Sequence, residues 1–382
     1  MRGGLAMTSV AFHVDQLWFS APGGIGTYVR NLVPALARRD PSLELKLFHA
    51  RFGPDAPQPE RWIRDFWMEE LDGSIRSLYP RWNVLGRPPL PPSLRSADIV
   101  HASNHAAIPP AGPGQKLVVT IHDLAFEHFP SLFPREWRVL YKLGLRAAVR
   151  RADAIVTPSR NTAEDVVSRT KVDPGKLHVV PLASSLDAGT LDTADVLARL
   201  KIRAPYVLFV GTLEPRKNLV RLVRAYRRVA ATGLPHALVL AGPMGWHHDP
   251  LMREIALPGP GEIVLTGPLP EDELDALYRG AGAFAYPSLY EGFGLPVVEA
   301  MARGVPTVAS TTSSVPEVSG DAALGVDPRS VREIAAGIER VLTHTDLAQQ
   351  LATAGRARAE RFTWDETARL TLEVYEGVLG AT

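Results

Sequence analysis

Two apolar patterns alternate along the chain. Short unbroken apolar runs, the signature of strands covered on both faces, lie at 10–14, 99–101, 117–121, 154–157 and 177–182. The run 43–48 alternates instead, like a second strand. Between them, 27–39, 137–151 and 159–170 carry apolar residues at the helical period, the first through Val29, Leu32, Val33 and Leu36. Pro158-Ser159 supplies a start signal for the third of these helices. The same alternation begins afresh further on, with strand runs at 206–211, 238–241, 263–265, 283–286 and 305–309. Helical stretches follow at 219–231, 248–256, 271–280, 329–342, 345–359 and 364–379. The polar segment 183–195 separates the two series and reads as a linker. Two series of alternating strand and helix predict two doubly wound α/β domains. Their boundaries are placed at 1–187, joined by the terminal helix 364–382, and at 188–363. Residues 52–95 break the pattern, with many prolines and with Trp62, Phe66, Trp67, Tyr79 and Trp82 among arginines. Two readings stand: an acceptor-facing or membrane-touching surface, or a loop-rich insertion whose aromatics pack on the domain.

The stretch 288–310 organises the second series. Strand 283–286 leads into Gly292-Phe293-Gly294, Pro296 stands where a helix begins, and Gly304 falls where it closes. Strand, tight turn, helix and strand form a parallel crossover unit. Its turn aims backbone N–H groups beyond the strand's carboxyl end. Glu291 enters the turn and Glu299 is expected in the first helical turn. These carboxylates suit a ligand rich in hydroxyls, or the helix dipole alone. Upstream, Arg216-Lys217 sit at a strand-to-helix junction, suited to an anion such as a diphosphate or simply to solvent. Near the N-terminus Gly23, Gly24 and Gly26 lie between strand and helix, as a phosphate cradle or a plain tight turn, without the dinucleotide spacing. His122-Asp123 end a strand, where open α/β sheets place ligand groups. Arg221, Arg224 and Arg228 share one helical face and are expected in solvent. His247-His248-Asp249 are rejected as a metal site, because adjacent residues do not converge and spacing places no third ligand.

Composition narrows the field. The 382 residues exceed one ordinary domain. A net charge of +1 provides no general field toward nucleic acid. The absence of cysteine excludes disulfides, thiolate metal sites and a cysteine nucleophile. No apolar run reaches the length of a membrane span, and the N-terminus carries no secretory core. A cytoplasmic location is expected, with peripheral contact at the inner face of a membrane as its variant.

The motifs taken together resemble a family. Glu291-Gly-Phe-Gly-Leu-Pro-Val-Val-Glu299 is similar to the paired-glutamate signature of retaining glycosyltransferases of family 4, which have the GT-B fold. Gly-Thr-Leu-Glu-Pro-Arg-Lys-Asn at 211–218 resembles that family's phosphate turn, and Pro22-Gly-Gly-Ile-Gly-Thr-Tyr28 its N-terminal glycine loop. Ile121-His-Asp123 and Thr157-Pro-Ser-Arg160 fall in family order, so the resemblance spans about residues 8 to 380. It implies two Rossmann-like domains facing each other across a cleft. It also implies roles. Glu299 would accept from ribose hydroxyls of a nucleotide sugar. Glu291 would hold the donor sugar and steady charge at its anomeric carbon. The amides of Phe293, Gly294 and Leu295 would bind sugar or phosphate oxygens. Arg216 and Lys217 would neutralise the departing diphosphate, Gly23 and Gly24 would approach it from the other domain, and His122 would touch the donor sugar. Many members carry arginine where this chain has Thr212; Arg216 is its stand-in, as in the mannosyltransferase-like subgroup.

The resulting expectation is hexose transfer to a glycan, lipid-linked or small-molecule acceptor. GDP-mannose is the first donor and UDP-hexoses the second. With no Asp-x-Asp motif, metal-independent chemistry without a cofactor is expected. A nucleotide-sugar epimerase on the same fold, or a non-catalytic nucleotide-binding partner, are the other classes. A pyridoxal phosphorylase is disfavoured because nothing marks a cofactor lysine.

Overall fold

The computed structural model describes residues 8–20, 23–184 and 189–380, so Pro22 and part of the expected linker lie outside them. The chain divides into two compact units, Met1–Leu182 with Trp364–Thr382, and Ala183–Thr363. Both are built on parallel sheets among the described residues. The first holds β1 (Ser9–His13), β2 (Glu44–His49), β3 (Trp67–Glu70), β4 (Ile99–Ala102), β5 (Lys116–Thr120), β6 (Ala154–Thr157) and β7 (Leu177–Val179). Their order is β3-β2-β1-β4-β5-β6-β7. The second holds β8 (Tyr206–Val210), β9 (Ala237–Ala241), β10 (Ile263–Gly267), β11 (Ala283–Tyr286), β12 (Thr307–Ser310) and β13 (Leu324–Val326), in the order β10-β9-β8-β11-β12-β13. Strands β1, β4, β6, β8, β9, β11 and β12 are buried at every position, as unbroken apolar runs require when helices cover both faces of a parallel sheet. In each unit the strand order reverses once, between β1 and β4 and between β8 and β11. Ligands of open α/β sheets bind beyond the strand carboxyl ends at such a point.

The unit boundary falls after Leu182 rather than after 187, because the segment that follows is tied to the second unit. Arg303 Nη1 donates to Ser184 Oγ at 3.1 Å, Gly189 N to Asp275 Oδ2 at 3.1 Å, and Arg279 Nη2 to Leu191 O at 2.7 Å. That segment also contains the short helix Thr193–Arg199, capped by Asp192. The terminal helix Trp364–Gly380 belongs to the first unit, where Thr367 Oγ1 donates to Pro181 O at 2.8 Å. Helix Arg160–Arg169 starts as its capping signal predicts, with Ser159 Oγ accepting from Thr162 N at 3.1 Å.

Residues 52–95 are more regular than the pattern suggests. They supply edge strand β3 and the helix Ile75–Leu85. Tyr79 and Trp82 of that helix are 5% and 1% exposed. Tyr79 OH donates to Asp15 Oδ2 at 2.8 Å and Trp82 Nε1 to Pro88 O at 3.1 Å. Trp67, by contrast, is 48% exposed on the edge strand. The prolines masked the helix because Pro80 lies inside it. Replacing Trp82 by alanine empties the middle of this core. The Trp82→Ala variant is expected to lose about 3 to 5 kcal/mol, read as a fall in the midpoint of chemical denaturation.

Candidate active site

In the second unit, the turns after β8 and β11 meet at the reversal of strand order, and hydrogen bonds join them. Asn218 Nδ2 donates to Pro287 O at 3.0 Å and to Pro328 O at 2.6 Å, and Leu289 N donates to Arg216 O at 2.9 Å. Asn218 adopts a left-handed conformation, φ 63°, and caps helix Leu219–Ala230. Asparagine tolerates that region better than most residues. The neighbouring turn after β9 approaches so closely that a Cβ on Gly242 would lie 2.2 Å from Gly211 O. Only glycine fits there.

This scaffold brings the adjacent Arg216 and Lys217 onto one carboxylate, that of Glu291. Arg216 Nη1 donates to Glu291 Oε2 at 2.7 Å, and Lys217 Nζ to Glu291 Oε1 at 2.6 Å. Arg216 Nη2 also reaches Glu214 Oε1 at 2.6 Å, and Nη1 reaches Tyr290 O at 2.9 Å. Lys217 Nζ donates to Tyr286 OH at 2.7 Å. Glu214, Lys217 and Glu291 are all buried. Burial by itself would raise the Glu291 carboxyl, but Arg216 and Lys217 outweigh it and hold the group at about 2. Burial and the neighbouring Arg216 lower the Lys217 ammonium, against the pull of Glu291 and Glu214. Two cations and two carboxylates thus share one dry corner. The sequence suggested cations waiting for an anion; the structure shows them already holding Glu291.

Serines that spacing did not single out fix the turn 291–293. Glu291 N donates to Ser313 Oγ at 2.9 Å, and the single Ser314 hydroxyl proton is shared between Glu291 O at 2.9 Å and Phe293 O at 3.0 Å. A readable signal existed: the polar run 311–314 directly follows the carboxyl end of β12. Gly294, at φ 105°, caps helix Leu295–Ala302, and Pro296 stands in its first turn. Phe293, Gly294 and Leu295 therefore line the helix entrance as expected from the motif. Glu299 does not sit in the first helical turn. The helix starts at Leu295, which makes Glu299 its fifth residue, beyond reach of the dipole explanation. Its carboxylate is buried and accepts from Tyr278 OH at 2.8 Å. Burial pushes it up to about 7.

In the first unit, Gly23 and Gly24 form the opening turn of helix Gly23–Arg39 rather than a loop ahead of it, Gly23 at φ 57°. Both are exposed, so this helix N-terminus faces solvent. Tyr28 of the same helix packs edge-on against His122, ring centroids 4.9 Å apart. His122 Nε2 donates to Ser103 O at 2.9 Å, which leaves Nδ1 without a proton in the neutral ring. Burial lowers the imidazole below its ordinary value, against the pull of that bond and Asp123. His122 is therefore a neutral imidazole near pH 7.

Residues 198–358 match the family model described as glycosyl transferases group 1, and residues 22–187 match that of glycosyltransferase family 4. The chain is 33% identical to O-antigen chain mannosyltransferase B of Escherichia coli over 92% of this chain and 96% of that protein. It is 30% identical to the MMP alpha-(1->4)-mannosyltransferase of Mycolicibacterium hassiacum, over 93% and 94% of the respective chains. The fold is similar to that of sucrose-phosphate synthase from Thermosynechococcus elongatus, with TM-score 0.76, 21% identity, and 98% and 100% of the two chains covered. Anabaena HepE in complex with UDP and glucose aligns with TM-score 0.74 at 16% identity, over 97% and 100%. The chain belongs to the family 4 glycosyltransferases, with two parallel-sheet Rossmann-like units of the GT-B type.

The buried cluster is acid-sensitive. Because the folded Glu291 lies below its unfolded value, its stabilisation is present above about pH 4.5 and disappears as pH falls toward about 2. Glu291→Gln leaves two cations against a neutral amide. It is expected to lower stability at neutral pH by about 3 kcal/mol and to flatten the acid limb of the thermal midpoint measured against pH.

Proposed function

We propose that this glycosyltransferase moves a hexose from a nucleotide sugar, mannose from GDP-mannose first, to a glycan, lipid-linked or small-molecule acceptor, with retention at the anomeric carbon. The observation that carries the reading is the Arg216–Glu291–Lys217 cluster at the carboxyl ends of β8 and β11. Departure of a nucleoside diphosphate creates a strongly anionic group and a cationic sugar centre, and fixed cations stabilise the first. Arg216 and Lys217 are held in place before any ligand arrives, so little reorganisation is needed. The ionised Glu291 is an acceptor only, suited to sugar hydroxyls and to developing positive charge. Both carboxylates of the cluster are committed to cations, which supports a same-face departure and attack over a covalent enzyme intermediate. The support for mannose is the identity with two mannosyltransferases; HepE, solved with UDP and glucose, supports UDP-hexoses as the second donor class. With these cations protein-borne and no Asp-x-Asp motif in the chain, the chemistry is assigned no metal and no cofactor.

Lys217→Ala is expected to cut turnover by roughly 100-fold or more, and near-wild-type kinetics would remove the diphosphate assignment. Activity is expected to persist in EDTA. Incubation with donor alone separates transfer from the alternative: an epimerase would convert the donor without acceptor.

Among the described residues, no helix is long and apolar enough to cross a membrane. Peripheral contact, in this proposal, uses the first unit's helix Arg135–Arg151 rather than residues 52–95, of which Tyr79 and Trp82 are core. There Arg135, Val139, Lys142, Arg146 and Arg150 recur every three or four residues on one exposed face. Replacing Arg135, Arg146 and Arg150 by alanine together is expected to weaken sedimentation with anionic vesicles by roughly 100-fold, at about 1 kcal/mol per basic side chain. Equal sedimentation of variant and parent rejects this face.

A further inference from the structure

Glu299 meets a partner that the sequence motif does not include. Tyr278 lies on helix Glu271–Gly280 and is fully buried, with its hydroxyl 2.8 Å from Glu299 Oε2. The same hydroxyl stands 3.5 Å from Pro296 O, in the first turn of the helix that carries Glu299. A phenol has one proton to give. It goes to the carboxylate while Glu299 is ionised, since a charged acceptor at 2.8 Å outcompetes a carbonyl at the outer limit of hydrogen-bond distance.

We infer that Tyr278 is a positioning residue for donor binding: it occupies one oxygen of Glu299 and leaves the other as the acceptor for a ribose hydroxyl. This rests on the nucleotide-sugar reading above and adds to it a device that keeps the ribose-binding group both aimed and ionised. The charged surroundings explain why such a device is needed. Among the described residues, no cation is ion-paired with Glu299. Arg303, one turn further along the same helix, is engaged by Asp275 Oδ1 at 2.9 Å and by Ser184. Asp275 is in turn held by Arg279. Glu271, at the start of the tyrosine's helix, adds like charge. Arg356, from the packed helix Thr345–Ala359, lies against Gly304 at that helix's far end. Burial therefore dominates and brings the Glu299 carboxyl to about 7, while the Tyr278 bond and, less strongly, the charge of Arg303 pull it down. Without that bond, the carboxyl rises further.

The consequence is a proton linked to donor binding. An ionised Glu299 accepts from ribose hydroxyls at once; a protonated one must first release its proton. Affinity then falls roughly tenfold per pH unit below the carboxyl's midpoint and is flat above it. Isothermal titration of the full chain with GDP-mannose, and in parallel with UDP-glucose, tests this between about pH 5.5 and 8.5. The diphosphate diester of either probe has no group titrating there. Wild type is expected to lose affinity below neutral pH. Tyr278→Phe is expected to shift the midpoint upward by roughly one pH unit, so that it binds roughly fivefold more weakly at neutral pH and roughly tenfold more weakly at the acid end, yet recovers at the alkaline end. Glu299→Gln is expected to give a flat profile. A Tyr278→Phe variant weakened by the same factor at every pH overturns the positioning role. If that variant does not fold, a wild-type profile flat through neutrality overturns the inference instead. Failure of both probes to bind, or a Glu299→Gln variant indistinguishable from wild type, removes the underlying ribose reading.

Discussion

The second unit is organised by one carboxylate shared between two cations. Glu291 joins Arg216 and Lys217 across the reversal of strand order, and in doing so connects the turn after β8 to the turn after β11. The backbone bond from Leu289 to Arg216 and the side chain of Asn218 make the same connection. Removing charges from water is expensive, and it is tolerated only when every charge has a partner and every remaining polar atom a hydrogen bond. Glu214, Tyr286, Ser313 and Ser314 supply those further bonds. Cations held in place in a buried corner are what a reaction with a departing anion requires.

Pairing with carboxylates also alters how the cations act. A free Arg-Lys pair would attract any anion, whereas this pair is already neutralised by Glu214 and Glu291. A diphosphate arriving here must compete with Glu291 for the same N–H donors, or share them. The competition favours a ligand that offers Glu291 something in return, and a sugar rich in hydroxyls does so. In the proposed function, charge on one part of the donor and hydroxyls on the other would then be recognised by a single cluster.

The first unit contains, besides its buried His13–Asp15 pair, a network of uncharged groups. His101 at the end of β4 hydrogen-bonds with Tyr375 of the terminal helix and with Thr120 of β5, and Thr120 with Tyr28. Burial holds His101 near 3, so the chain is uncharged at neutral pH. It joins the last helix of the sequence to the core of the first unit and supports Tyr28, which packs on His122. The aromatic residues of 52–95 divide between this interior and the surface: Tyr79 and Trp82 are core, while Trp67 is exposed.

Most of the architecture was legible because both sheets are parallel. Buried strands write themselves as unbroken apolar runs, and 154–157 and 283–286 coincide with β6 and β11 to the residue. What stayed hidden had no periodic signal. Strand β3 is an edge with exposed side chains, and helix Ile75–Leu85 contains a proline. Helix Thr193–Arg199 has a single turn or two of pattern within a polar segment. The motif residues Arg216, Lys217, Glu291 and Glu299 could be named from spacing and residue type, because a helix entrance after a strand has a recognisable sequence. Their partners could not. Tyr278, Ser313 and Ser314 reach the site from other elements, by contacts that no local spacing encodes. Local chemistry in the sequence determined which groups carry charge and where the chain turns. Only the tertiary structure decided that Glu291 would hold both cations and that Glu299 would be hydrogen-bonded by a tyrosine, because proximity across a folded sheet sets both burial and pairing.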